Sequence, residues 1–243
     1  MQRVDRQVLA IVPARGRSKG VARKNLRLLS GRPLIAYTIE AALASRYISH
    51  LIVSTEDAEI ADVSRSLGAD VPFVRPLELA LDHSSQLDVV LHALESVEGS
   101  RQITYKMVLL LQPTTPLRTT ADIDNAVEKL MVTDADSVVS FHQVEQGHPY
   151  YMYTIDDDRP KPLLEAPANI TRRQEFPAVF VRNGAIYATR RDVLVQERTF
   201  YGQNMRAYLM PIERSINIDT EFDFGMAEFL LQRQLLSKEG KAP

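Results

Sequence analysis

Short, unbroken apolar runs at residues 8–12, 51–54, 107–111 and 137–141 lack the polar alternation of a sheet with one wet face. The pattern predicts strands buried on both sides. Between them apolar residues recur at helical spacing: Ile60, Val63 and Leu67; Leu87, Val90, Leu91 and Leu94; Ile123, Val127, Leu130 and Met131. Strands alternating with helices predict an α/β fold with a mainly parallel sheet, helices on both faces and right-handed crossovers.

The alternation breaks near Glu145. From there to residue 176 the chain carries tyrosines, an Asp156-Asp157-Asp158 turn and Pro149, Pro160, Pro162 and Pro167, which reads as a small inserted lobe of short strands and loops. Regular structure resumes at Asn183-Gly184-Ala185-Ile186-Tyr187, and a final helix is expected to carry Phe222, Met226, Phe229 and Leu230 on one face. The expectation is one domain over residues 1–243 with a lobe at 145–176.

Length and charge narrow the picture. A chain of 243 residues can bury a substantial core. Zero cysteines exclude disulfides and thiolate-held zinc and suit a reducing compartment, so the cytoplasm is expected. No apolar run approaches the roughly 20 residues of a membrane helix, and no signal-peptide pattern opens the chain. The net charge of -2, with both signs dispersed, argues against a nucleic-acid track and leaves one basic loop to explain.

That loop, Ala14-Arg15-Gly16-Arg17-Ser18-Lys19-Gly20 with Lys24-Asn25, follows the first predicted strand. Seven basic residues lie from Arg15 to Arg32, and the next acid is Glu40. The spacing is neither G-x-G-x-x-G nor G-x-x-x-x-G-K-[ST], which disfavours dinucleotide sites and P-loops. Two readings are open, a phosphate cradle using glycine-freed amides with Arg15, Lys19 and Lys24, or a solvated basic turn. In open parallel sheets ligands bind beyond the carboxyl ends of the strands. A second rigid loop, Gln112-Pro113-Thr114-Thr115-Pro116-Leu117-Arg118, is expected at the same edge, before a helix capped by Thr119 or Thr120.

These blocks resemble the acylneuraminate cytidylyltransferases, or CMP-sialic acid synthetases. Also in family order are Gly31-x-Pro33-Leu34-Ile35, Val53-Ser54-Thr55, Arg75-Pro76-x-x-Leu79-Ala80, Asn183-Gly184-Ala185-Ile186-Tyr187 and Ile218-Asp219-Thr220-Glu221-x-Asp223. The resemblance implies a nucleotide-diphospho-sugar transferase-like fold and Mg²⁺-dependent transfer of CMP from CTP to the anomeric hydroxyl of a nonulosonic sugar acid. It also implies a homodimer in which the lobe reaches the neighbouring site.

Carried over by motif, Arg15, Ser18 and Lys19 would hold the triphosphate, Lys24 would serve the α-phosphate, and Asn25 and Arg75 would contact cytidine. Ser84 would lie near the base, although an N-cap explains Asp82 or Ser84 equally well. Gln112 would stand near the sugar and the reacting centre. Arg173, Asn183, Tyr187, Phe200 and Tyr201 would form the acceptor side, while Arg172-Arg173 reads equally as a salt-bridge pair.

Asp219 and Asn217 would hold the metal, since alternate residues of an extended segment point the same way. Asn217 departs from a pattern that often has aspartate there, and Asp223 reads better as the start of the last helix. A second departure, His148-Pro149-Tyr150-Tyr151, looks more like members acting on legionaminate-type sugars, or like a subunit interface. The alternatives are a cytidylyltransferase for the eight-carbon 3-deoxy-manno-octulosonate and a nucleotide-binding regulator without catalysis.

Overall fold

The computed structural model describes residues 7–144, 146–165 and 172–238. Six strands form one sheet: β1 (Val8–Pro13), β2 (His50–Ser54), β3 (Met107–Leu110), β4 (Ser137–Gln143), β5 (Phe180–Arg190) and β6 (Met205–Leu209). The order across it is β6-β4-β5-β3-β1-β2. β1 runs parallel to β2 and β3, and β6 runs parallel to β4. Only β5 is reversed, antiparallel to β3 and β4.

Period-two geometry divides each apolar run between two cores. Val8, Ala10 and Val12 face a cluster with Ile35 and Ile39 of α1 (Leu34–Leu43), Ile60 of α2 (Ala58–Ser66) and Ile123, Val127 and Leu130 of α4 (Thr120–Val132). Leu9 and Ile11 face Val90, Ala93, Leu94 and Val97 of α3 (Gln86–Arg101) on the other side. Burial on both faces is why these runs never alternate with polar residues. Helix starts are chemically marked. Asp57 caps α2, Ser85 caps α3, and Thr119 with Asp122 forms a capping box on α4.

The pairing of β4 with β5 is broken by a wide irregularity. Val139 opposes Tyr187 and Phe141 opposes Arg182, so Ser140 faces four residues of β5. Between β4 and β5 the chain also makes an exposed hairpin, Tyr153–Asp156 against Arg159–Pro162. Its two-residue turn puts Asp157 and Asp158 at φ 46° and 62°, the left-handed pair that matches strand twist.

The final helix, α5 (Glu221–Lys238), carries Phe222, Met226 and Phe229 on a face that is exposed. Among its described residues Phe224 and Ala227 are buried, packed with Val21, Leu29, Leu34 and Ile218, while Phe222 is 76% exposed and Phe229 54%. Both faces carry apolar residues at helical spacing, and docking beneath the basic loop selects the one with Phe224. Among the described residues, no helix is long and apolar enough to cross a membrane.

Candidate active site

A cleft of about 570 Å³ opens at the carboxyl ends of β1 and β3. It is lined by Arg15, Ser18, Lys19, Lys24 and Asn25 of the basic loop, Arg75 and Ser84 from the segment before α3, Gln112 after β3, and Asn217 and Asp219 before α5. All ten residues proposed for the donor, the metal and the reacting centre therefore share one cavity. Of the other expected contacts, Asn183, Tyr187, Phe200 and Tyr201 are not among its lining residues.

The basic loop is held by packing. Gly16 and Gly20 were expected to free backbone amides for phosphate, but the Gly16 N–H donates to Glu56 Oε1 at 2.7 Å. Both glycines also permit close approach. A Cβ at Gly16 would lie 2.4 Å from Asp57 Oδ2, and one at Gly20 would lie 1.9 Å from the Asp219 carbonyl oxygen. The loop's charge is divided as well. Arg23 pairs with Asp57 and Glu59, Arg27 with Glu221, and Arg32 with Glu40. Arg15, Lys19 and Lys24 are the loop's cations that line the cleft.

Arg15 and Lys19 converge on Asp82, at 2.8 and 2.9 Å. The hydrogen bond from Lys19 and the charges of Lys19 and Arg15 hold the Asp82 carboxyl below the usual range. Ser85 caps α3, while the Ser84 hydroxyl donates to the Glu78 carbonyl. Neither Asp82 nor Ser84 is the cap. Arg75 is only 4% exposed and donates to both the carbonyl and hydroxyl oxygens of Ser54. Burial lowers its pKa to about 10, against the opposing charge of Glu56. Asn25 donates to the Arg15 carbonyl at 3.0 Å, fixing the turn of the loop.

Across the cleft, Asn217 and Asp219 flank Ile218, which is fully buried beside Val21 and Phe224. Lys24 donates to the Ile218 carbonyl and reaches Asp219 Oδ1 at 3.2 Å. Asn217 Nδ2 donates to Asp219 Oδ2 at 2.6 Å, while Asn217 Oδ1 is buried without a hydrogen-bond partner. One carboxylate and one unengaged amide oxygen fit Mg²⁺, which keeps several waters and takes its remaining oxygens from phosphates. Among the described residues no group of three His, Cys, Asp or Glu side chains forms a metal cage of its own. Asp223 accepts from Thr220 N at 2.8 Å and belongs to the start of α5.

Asn183 requires a correction. It is 2% exposed, with Oδ1 accepting from Ser140 Oγ and the Ala185 N–H, and Nδ2 donating to Ser215 Oγ. The polar groups opened by the β4–β5 irregularity need partners, and Asn183 supplies them. It serves the fold rather than a substrate. Tyr187, Phe200 and Tyr201 gather beside the sheet with ring centroids 5.8 and 6.4 Å from Tyr187, and Arg182 lies 4.9 Å over Tyr201. Burial raises the Tyr187 hydroxyl pKa. The Arg173 side chain lies outside the described residues. In the lobe, His148, Tyr150 and Tyr151 pack around Phe176, with His148 stacked at 4.9 Å.

The sequence reading missed Gln86, which lines the cleft, and Glu56 and Arg118, which brace the Gly16 amide and the Gln112 backbone from outside it. Arg118 is fully buried and donates to the Gln112, Ala185 and Thr38 oxygens, and burial lowers its pKa to about 10. Only its place in the Gln112-to-Arg118 block signalled it.

The cytidylyltransferase family model matches residues 9–241. The CMP-N,N'-diacetyllegionaminic acid synthase of Legionella pneumophila is 36% identical over 229 residues, 93% of this chain and 97% of that protein. The N-acylneuraminate cytidylyltransferase of Streptococcus agalactiae is 33% identical over 89% of this chain, which spans about half (51%) of that longer relative. Among solved structures, CMP:2-keto-3-deoxy-manno-octonic acid synthetase complexed with CTP aligns with a TM-score of 0.68 at 18% identity, covering 93% of this chain and 99% of that one. At that identity the likeness concerns the fold alone.

Proposed function

The chain belongs to the cytidylyltransferase family, and from that premise we propose that it transfers CMP from CTP to the anomeric hydroxyl of a nine-carbon 2-keto-3-deoxy sugar acid. The observation that carries this reading is the single cleft joining Arg15, Lys19 and Lys24 to Gln112 and to Asn217 and Asp219. A triphosphate needs the first group, an acceptor alcohol the second and a hard cation the third.

In the reaction the anomeric oxygen bonds to the α-phosphorus, the α–β anhydride breaks, and the hydroxyl proton passes to solvent water as pyrophosphate leaves. Arg15 and Lys19 hold the β- and γ-phosphates, and Ser18 adds a hydroxyl. Lys24, fixed between the Ile218 carbonyl and Asp219, meets charge that grows on the α-phosphate oxygens. Preorganised cations are most effective there, because they need no reorientation as the charge develops. Mg²⁺, held through Asp219 and the Asn217 oxygen, supplies further positive charge to the phosphates when bound. Asn25, Arg75 and Ser84 border the nucleoside, and Gln112 orients the acceptor.

The acceptor is of legionaminate or N-acylneuraminate type. Relatives named for each of those sugars match most of the chain, and the Tyr187, Phe200, Tyr201 group offers aromatic surface for an acylated tail. The chain works as a homodimer through its lobe, where Tyr151, Tyr153, Ile155, Leu163 and Leu164 are all exposed. CTP as donor places the work in the cytoplasm, in a pathway to cell-surface polysaccharide or glycoconjugate.

The test is pyrophosphate release from CTP with N-acetylneuraminate, legionaminate, pseudaminate and 3-deoxy-manno-octulosonate, compared by kcat/KM. Turnover highest on a nine-carbon acid is expected. CTP binding without release on any of the four would overturn the reading.

A further inference from the structure

Gln86 is the first residue of α3, directly after the Ser85 cap, and it lines the cleft. Its Oε1 accepts a hydrogen bond from Gln112 Nε2 at 2.7 Å. The other end of the Gln112 amide is confined too. Gly184, at φ +75°, leaves room for it, and a Cβ there would lie 2.5 Å from Gln112 Oε1. Beneath, Arg118 donates to the Gln112 carbonyl at 3.3 Å.

An amide side chain is nearly symmetric in shape and opposite in polarity at its two ends. Packing alone leaves it free to turn over, exchanging the donor for the acceptor that faces the reacting hydroxyl. A partner that presents its oxygen couples the two, so that Gln112 cannot turn over unless Gln86 turns with it. On these grounds we propose that Gln86 is a positioning residue, whose carbonyl oxygen sets the orientation of the Gln112 amide and thereby the polarity of the acceptor subsite. This inference rests on the cytidylyl-transfer reading given above.

The geometry also joins the two halves of the cleft. The segment that delivers Gln86 begins at Arg75 and carries Asp82 against Arg15 and Lys19. One stretch of backbone therefore touches the triphosphate cations at one end and the acceptor-side amide at the other.

The experiment compares Gln86→Leu, Gln86→Glu, Gln112→Ala and the Gln86→Leu/Gln112→Ala double variant. CTP affinity is read by calorimetry, turnover by pyrophosphate release, and the position of Gln112 by a crystal structure of Gln86→Leu. Loss of one oriented hydrogen bond is expected to lower kcat about 10-fold. CTP affinity should stay within about 2-fold, since the lost bond touches no donor contact. The double variant should be no slower than Gln112→Ala. Gln86→Glu keeps the accepting oxygen and should recover most of kcat, while its charge raises KM for the acidic sugar. Multiplying losses in the double variant, a matching fall in CTP affinity, or a Gln112 amide that keeps its orientation, read from its hydrogen-bond partners in an atomic-resolution crystal structure of Gln86→Leu, would overturn the proposal. If the unaltered protein turns over no sugar acid, the functional reading fails by itself, and the crystal structure still decides the pairing.

Discussion

The Asp82 carboxylate lies 2.8 Å from the Arg15 guanidinium, and its second oxygen is 2.9 Å from Lys19 Nζ. The same two cations are those proposed above to hold the triphosphate, and Asp82 pairs with both of them. Opposite charges this close in a solvated cleft hold position without contributing much stability.

Asp82→Asn should therefore strengthen CTP binding. Removing the competing charge is expected to lower KM for CTP by about 2- to 5-fold, an effect the size of one exposed ion pair, with kcat little changed. Initial rates at saturating sugar acid measure this. A raised KM would mean that Asp82 instead aligns the two cations for the phosphates.

At the opposite wall, Asp219→Ala should lose far more turnover than Asn217→Ala at saturating Mg²⁺. Asp219 brings the charge and also braces Lys24, so a loss of about 100-fold is expected, the scale of one removed electrostatic contact in a reacting site. Asn217→Asp should lower the Mg²⁺ concentration needed for half activity. Equal small losses in the two alanine variants would remove the metal assignment.

Gly20→Ala should damage the protein twice. The added methyl would sit 1.9 Å from the Asp219 carbonyl oxygen, and backbone must move to admit it. Thermal unfolding is expected to show a cost of about 1–3 kcal/mol, typical of overpacking. Activity should fall further than stability, because the shift separates the basic loop from Asp219. Gly31→Ala, with open space around its Cβ, is the comparison, though its φ of +81° carries a backbone cost of its own.

Acid stability should depend on Asp122, which is 1% exposed and receives Arg214 at 2.7 and 3.0 Å. Burial raises its pKa, but the hydrogen bonds from Arg214 and Thr119 outweigh burial and leave it lowered from 3.8. A depressed carboxylate stabilises the fold above its unfolded pKa and loses that contribution as pH falls through the folded value. Asp122→Ala should cost about 1.5–3 kcal/mol at neutral pH, the scale of hydrogen bonds to a charged group, because the Arg214 left behind is 31% exposed and can be solvated. The gap in unfolding free energy between the two proteins should stay constant above about pH 5 and narrow below pH 4. A gap independent of pH would show that packing alone explains the loss.

Most of the framework was legible along the chain. The runs at 8–12, 51–54, 107–111 and 137–141 became β1 to β4 because strands buried on both faces leave a local signature that no distant contact is needed to read. The basic loop was marked by residue type and Gln112 and Asp219 by the family resemblance, and Arg15, Lys19, Lys24, Gln112 and Asp219 all line the cleft.

Tertiary structure decided the rest. Asn183 looked like a ligand residue until the β4–β5 irregularity claimed its amide. Phe222 and Phe224 lie on different faces of α5, and only docking chose between them. Lys24 meets Asp219 across 195 positions, and Gln86 meets Gln112 across 26. Periodicity and residue type are local and survive in one dimension. Which side chain a given amide or carboxylate faces depends on how separate elements pack, and that relationship exists only once the chain has folded.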